Sequence, residues 1–230
     1  MVRRLVRDEE YSSSTLLSPT MKPKLILFDL FGTLVFPVEK IKREDFFAFY
    51  QKIGIKLKTK EDIDLFTSTF TQLMMKSDNW QDFSQKLLEK FIQKTDEDTV
   101  NKLANFYQEN LVYQLFDDAK EIINLPCQKA ILTSAAQFLF SSLGLEKYFQ
   151  IFTPRETKFL KPDERAFLYP LEKLGVKTEE AVMVGDEIER DLIPAKNLGL
   201  EVILIDRQNK IKNSPVRKIN SLTELKQILI

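Results

Sequence analysis

Two aspartates in this sequence each close an apolar run. Asp29 follows Leu25-Ile26-Leu27-Phe28, and Asp186 follows Ala181-Val182-Met183-Val184-Gly185. A carboxylate at the end of a strand buried on both faces is costly unless it is ionised, partnered and used. Two such carboxylates at one sheet edge repel each other unless a cation joins them, and oxygen ligands suit a hard ion such as Mg²⁺. Thr133-Ser134 ends a third run, Lys129-Ala130-Ile131-Leu132. It offers a hydroxyl and backbone N–H groups at the expected start of a helix, which is an anion cradle. Lys161, ahead of Pro162-Asp163, is placed to neutralise charge on a bound phosphoryl group or on a nucleophile. Asp191, five residues past Asp186, is placed to orient Lys161 or a metal-bound water. Singly, each has a plainer reading: Thr133 as an N-cap, Lys161 as a solvated cation, Asp186 as a turn residue and Asp191 as surface charge. Jointly, in this order and at these strand ends, they describe a site.

The types of residue present narrow the chemistry further. The sequence contains no histidine, which excludes Ser-His and Cys-His nucleophile pairs, His-ligated zinc and imidazole as a general base. Catalysis has to rest on carboxylates, Lys or Arg, hydroxyls, backbone amides and a hard metal. Cys127 is the single cysteine, so no intrachain disulfide forms, and its neighbours Leu125 and Pro126 suggest a small buried filler. Lys and Arg total 34 and Asp and Glu total 34, a zero net charge that argues against nucleic acid or an acidic membrane surface as partner. With no apolar run of membrane-spanning length, the expectation is a soluble cytoplasmic protein acting on a small molecule. Nothing in the sequence specifies an oligomeric state.

The elements that position these residues follow from the hydrophobic pattern. Residues 1–20, with Ser12-Ser13-Ser14-Thr15 and Pro19, read as a flexible tail, and Met21 offers an alternative start directly before the first strand. From Phe36 to about Asn124 the spacing is helical throughout. Stripes run through Phe46, Phe47 and Tyr50; through Ile63, Phe66, Phe70, Leu73 and Met74; through Phe83, Leu87, Leu88, Phe91 and Ile92; and from Val100 through Tyr107 to Leu111 and Leu115. From Leu125 strands and helices alternate, with a helix expected after Ser134 closing at Gly144 and another from Ile188 to Asn197. Apolar strands alternating with helices predict an α/β fold, a doubly wound parallel sheet of Rossmann-like type with an inserted helical cap. The expected domains are a core of residues 21–36 and 121–230 and a cap of residues 37–120. Trp80 reads as cap core; Lys42 and Arg43 read as solvated charge, with a substrate-facing role as the alternative. In such a sheet, Asp29, Thr133 and Asp186 meet at one edge.

The four segments resemble the haloacid dehalogenase-like hydrolase superfamily with an inserted α-helical cap. Asp29-Leu30-Phe31-Gly32-Thr33 matches its first motif, Ile131-Leu132-Thr133 the second, Lys161-Pro162-Asp163 the third, and Gly185-Asp186 with Asp191 the fourth. The resemblance implies that Asp29 is a nucleophile forming a covalent aspartyl intermediate, and that Thr133 and Lys161 hold phosphoryl oxygens. It also implies that Asp29, the Phe31 backbone carbonyl and Asp186 hold Mg²⁺, with Asp191 behind them. Gly32, Thr33 and Ser134 complete the expected substrate-binding set.

One position departs from the family pattern. Phosphatases of this family usually carry a second Asp two residues after the nucleophile as general acid/base, and here Phe31 stands there. Losing a positioned acid/base typically costs about 10²–10⁴ in rate. Glu187 is a conceivable replacement, if its side chain faces the site. The leading expectation is a Mg²⁺-dependent phosphatase of small phosphorylated metabolites, slowed by Phe31 or with its acid/base moved. Two alternatives stand beside it. A 2-haloacid dehalogenase-like enzyme forming an aspartyl ester would share an aromatic residue at this position. It would also need no metal and typically lacks the Gly-Asp of the fourth motif, and Ser134 stands where that class and many phosphatases have Asn. A non-catalytic member binding a phosphorylated ligand or a protein would explain Phe31, but not the retained Asp29, Lys161 and Asp186.

Overall fold

A computed structural model describes residues 22–229; the expected tail and Met21 lie outside them. The first strand, β1 (Leu25–Phe28), is fully buried. Side chains alternate across a strand, so Ile26 and Phe28 enter the core on one face of the sheet and Leu25 and Leu27 the core on the other. The sheet is completed by β4 (Gln128–Leu132), β5 (Gln150–Phe152), β6 (Ala181–Gly185), β7 (Glu201–Ile205) and β8 (Arg217–Ile219). Its order is β5-β4-β1-β6-β7-β8, and every pairing is parallel. The short α5 (Pro154–Thr157) follows β5; α6 (Glu164–Leu174) and α7 (Ile193–Asn197) pack on one face of the sheet and the terminal α8 (Leu225–Ile228) on the other. This is the doubly wound α/β fold the pattern predicts. The chain leaves β1 toward β4 and β5 and later returns to β1's other side as β6, so the strand order reverses between β1 and β6. Ligands of open α/β sheets bind outside the carboxyl ends of the strands at such a reversal, and Asp29 and Asp186 end these two strands.

Between the first two strands of the sheet lie α1 (Arg43–Lys52), α2 (Lys60–Lys76), α3 (Trp80–Phe91) and α4 (Glu97–Asn110). The last three begin at capping residues: Thr59 accepts from the Asp62 amide at 3.1 Å, Asn79 from Asp82 at 2.8 Å and Asp96 from Thr99 at 2.7 Å. Such caps satisfy orphan N–H groups and stabilise a helix by about 1 kcal/mol each. The aromatic stripes meet in a separate core containing Phe66, Trp80, Phe83 and Tyr107. Trp80 is buried there, with its ring stacked on Tyr107. Arg43 rests over the Phe47 ring at an exposed helix start.

Three local expectations are corrected. The segment from Phe36 to Asn124 is not wholly helical: β2 (Val35–Glu39) and β3 (Leu111–Leu115) form an antiparallel ribbon at the root of the helical lobe. Leu111 and Leu115, which had extended the fourth helical stripe, belong to that ribbon, because Val-Tyr and Val-Phe-Pro-Val favour extended backbone. The α-helix expected between Ser134 and Gly144 does not form. Three successive 3₁₀ turns occupy Gln137–Leu139, Ser141–Leu143 and Leu145–Lys147. The Ser141 hydroxyl donates to the Phe138 carbonyl, competing with helical bonding, and Gly144 takes a left-handed conformation. The expected helix from Ile188 opens instead as a wide π turn over Ile188–Leu192 before α7, where Pro194 lacks the N–H that regular winding needs. No helix among the described residues is long and apolar enough to cross a membrane.

Candidate active site

Asp29 is carried one residue past β1 and buried, its amide donating to Val184 of β6 at 2.9 Å. Lys161 reaches it across the sheet edge. The Lys161 ammonium donates to Asp29 Oδ1 and, at 2.6 Å, to Asp191 Oδ1. Burial alone would pull a lysine pKa down, but here Asp29 and Asp191 outweigh it and hold Lys161 above its ordinary value. Asp191 is oriented in turn by the Glu187 amide, 3.3 Å from its Oδ2.

Asp186 completes the cluster. Carboxylate oxygens of Asp29, Asp186 and Asp191 lie within 4.8 Å of one another. Burial first, and then the charges of Asp29, Asp191 and Glu187, push the Asp186 pKa up to about 7. Its Oδ1 is buried and has no hydrogen-bond partner among the described residues. Three carboxylates served by one lysine, with a buried oxygen unpartnered, form a donor set that suits a hard cation.

Two glycines make this crowding sterically feasible. A Cβ on Gly32, which has φ +82°, would stand 2.1 Å from Asp186 Oδ2, and one on Gly185 would stand 2.5 Å from Asp191 Oδ2. The bare Cα of Gly32 therefore makes room for the second carboxylate itself.

A cavity of about 200 Å³ opens above the cluster, lined by Asp29, Phe31, Thr133, Ser134, Ala135, Lys161, Glu187 and Arg190. The Ser134 hydroxyl is buried beside it, with no hydrogen-bond partner among the described residues. Gly32 and Thr33, expected among the substrate-binding residues, do not reach this cavity. Gly32 is turned against Asp186, and Thr33 is fully buried, its hydroxyl without a partner among the described residues. The helix start expected to shape an anion cradle at Thr133 does not form. With no helix beginning there, the Thr133 amide is spent on the Phe152 carbonyl and the Ala135 amide on Thr133 Oγ1, at 3.0 and 3.1 Å. What Thr133 offers a ligand is its hydroxyl proton. Lys42, Arg43 and Trp80 are not among the lining residues. Cys127 is half-buried at the edge of the core, where burial raises its thiol pKa.

Phe31 faces the cavity while its ring packs on Tyr113 of β3, centroids 4.6 Å apart. Glu187 does face the cavity, next to Arg190, whose guanidinium lies 3.5 Å from its carboxylate. Sequence reasoning missed Arg190; its place one residue before Asp191 was the only signal.

The raised Asp186 pKa makes stability pH-dependent. The folded protein holds this proton up to about pH 7 and the unfolded chain only to about 3.8. The stabilisation is therefore complete below the unfolded pKa and is lost as pH rises through the folded one. In chelator, denaturant unfolding should show this decline between about pH 4 and 7. Asp186→Asn should flatten it and stabilise the protein at pH 7.5 by about 1–2 kcal/mol, a figure reduced for partial solvent screening. Equal pH slopes for the two proteins would refute the assignment.

With the geometry established, comparison with known proteins gives the family. Residues 23–199 match the haloacid dehalogenase-like hydrolases, and the chain belongs to that family. A glyceraldehyde 3-phosphate phosphatase of Methanothermobacter thermautotrophicus is 34% identical over 96 residues, 38% of this chain and 42% of that protein. The chain spans about two-fifths of the length of such curated relatives. Among solved structures, a phosphatase of the same family from Thermococcus onnurineus is similar at 25% identity and a TM-score of 0.60, over 90% of this chain and 97% of that one. A 2-haloacid dehalogenase from Pseudomonas syringae shares the fold at 20% identity and a TM-score of 0.64, over 90% and 98% of the two chains.

Proposed function

We propose that this protein is a Mg²⁺-dependent phosphatase of small phosphorylated metabolites, with Asp29 as the nucleophile. The observation that carries this reading is Asp186: a half-buried carboxylate whose buried Oδ1 finds no partner among the described residues, set beside Asp29 and Asp191. A metal-free dehalogenase site gains nothing from such a group, whereas a cation between the carboxylates relieves their repulsion. The phosphatase names of the archaeal relatives support the same choice. Asp29, Asp186 and the Phe31 backbone carbonyl would hold Mg²⁺, which when bound offsets charge on the transferring phosphoryl group.

The chain's own residues divide the rest of the work. Lys161 donates to one oxygen of Asp29, leaving the other to attack phosphorus as the ester P–O bond breaks. The Thr133 hydroxyl and the Lys161 ammonium hold phosphoryl oxygens, and Ser134 is close enough in the cavity wall to join them. Asp191 holds Lys161 in place. Glu187 takes the role that Phe31 cannot fill: it gives a proton to the leaving oxygen, then removes one from the water that cleaves the aspartyl phosphate. The cavity's 200 Å³ fits a phosphoryl group on a small carbon skeleton. We also propose that residues 37–120 act as a cap over this cavity, hinged at the β2–β3 ribbon.

The deciding experiment is hydrolysis of p-nitrophenyl phosphate with Mg²⁺ and with chelator. Turnover that requires Mg²⁺ is the expected result. Metal-independent halide release from a 2-haloacid, without phosphatase activity, would overturn the reading in favour of the dehalogenase class, which Phe31 on its own would suit.

A further inference from the structure

Arg207, two residues past β7, grips the loop that carries Asp29 from behind. Its Nε donates to the Gly32 carbonyl at 3.2 Å and its Nη2 to the Thr33 carbonyl at 2.6 Å. The same guanidinium makes paired bonds of 2.8 and 3.0 Å to Asp118 and lies 3.6 Å over the ring of Phe116. Asp118 also accepts from the Ser221 hydroxyl at 2.8 Å and the Leu222 amide at 2.9 Å. Burial opposes the charge on Asp118, yet Arg207, Leu222 and Ser221 hold its carboxyl below the ordinary range. Phe116 in turn packs on Phe36 of β2, ring centroids 4.8 Å apart. One planar cation therefore ties together three parts of the chain: the turn after Asp29, the point where the chain re-enters from the helical lobe, and the C-terminal segment.

Two adjacent carbonyls aimed at one guanidinium fix two consecutive peptide planes, because neither rotates without losing a charge-assisted bond. Those planes set Gly32, whose Cα packs on Asp186, and they follow directly on the peptide of Phe31. Lysine would keep the charge but could not span both carbonyls and both carboxylate oxygens. We infer that Arg207 is a positioning residue, which with Asp118 holds the Asp29 loop in register and anchors the root of the helical lobe to it. A purely structural clamp would lower stability alone; a positioning clamp also loosens this loop in the folded protein.

The test compares wild type with Arg207→Met, Arg207→Lys and Asp118→Asn by hydrogen exchange and by p-nitrophenyl phosphate turnover. The amides of Gly32, Leu34 and Val35 report the loop through their bonds to Val35 and Leu30. Exchange of a peptide covering residues 30–35 should accelerate at least about tenfold in Arg207→Met, with the peptide covering β6 unchanged. In the same variant kcat should fall about 10–100-fold with little change in KM, since small misplacements of reacting groups cost this much. Arg207→Lys and Asp118→Asn should fall between, and they carry the test if Arg207→Met does not fold. Unchanged exchange at 30–35 in folded variants, or a lowered melting temperature with wild-type kcat, would overturn the inference. The kinetic arm rests on the phosphatase reading and the exchange arm does not. A wild type silent toward the phosphate ester would therefore leave exchange to decide.

Discussion

Asp29→Asn is expected to lower Mg²⁺-dependent turnover of an aryl phosphate by roughly 10⁴-fold or more while the protein stays folded. Asparagine matches aspartate in size, and its amide oxygen can still accept from Lys161, which also keeps its bond to Asp191. What is lost is the charged oxygen proposed to attack phosphorus. The change should therefore appear in kcat, with KM and melting temperature close to wild type. A complementary measurement makes the assignment positive. Acid quenching of wild type during turnover of a labelled phosphate ester should leave label on the peptide containing Asp29, and none in Asp29→Asn. Label on another peptide, or residual activity within tenfold of wild type, would exclude Asp29 as the nucleophile.

The second large effect concerns the acid/base. Glu187→Gln should cost about 10²–10³ in kcat, the range for a group that both donates and accepts a proton in the transition state. Phe31→Asp should raise turnover of a poor leaving group and have less effect on p-nitrophenol, which departs readily without a proton. The informative measurement is the double variant. With Asp at position 31, Glu187→Gln should lose less than about tenfold, because the role has a second holder; such non-additivity marks two groups serving one function. Phe31→Asp should also cost about 1 kcal/mol of stability from the lost ring contact with Tyr113. If Glu187→Gln turns over as fast as wild type at every pH, Glu187 is only a rim charge paired with Arg190 and the proton comes from elsewhere.

Fold and site were legible to different depths. Four consecutive apolar residues before Asp29 and five residues before Asp186 sufficed to place both aspartates at ends of buried parallel strands, because periodicity is local information. The helical lobe was legible for the same reason, from the stripes through Phe66, Phe83 and Tyr107. The short ribbon of Val35–Glu39 with Leu111–Leu115 was not, since each strand is defined by a partner more than seventy residues away. The stretch after Ser134 looked helical by composition, and only packing showed that it turns three times instead.

The sequence by itself determined which side chains stand at the strand ends, that no imidazole takes part, and that Phe31 cannot act as an acid. Only the tertiary structure decided what those side chains touch. Lys161 meets Asp29 and Asp191 together; Gly32 exists to admit Asp186; Glu187 faces the cavity; and Arg207 closes on carbonyls about 175 residues earlier in the chain. Strand and helix propensities act over a few residues. Whether a buried charge finds a partner depends on segments that meet only when the sheet is assembled.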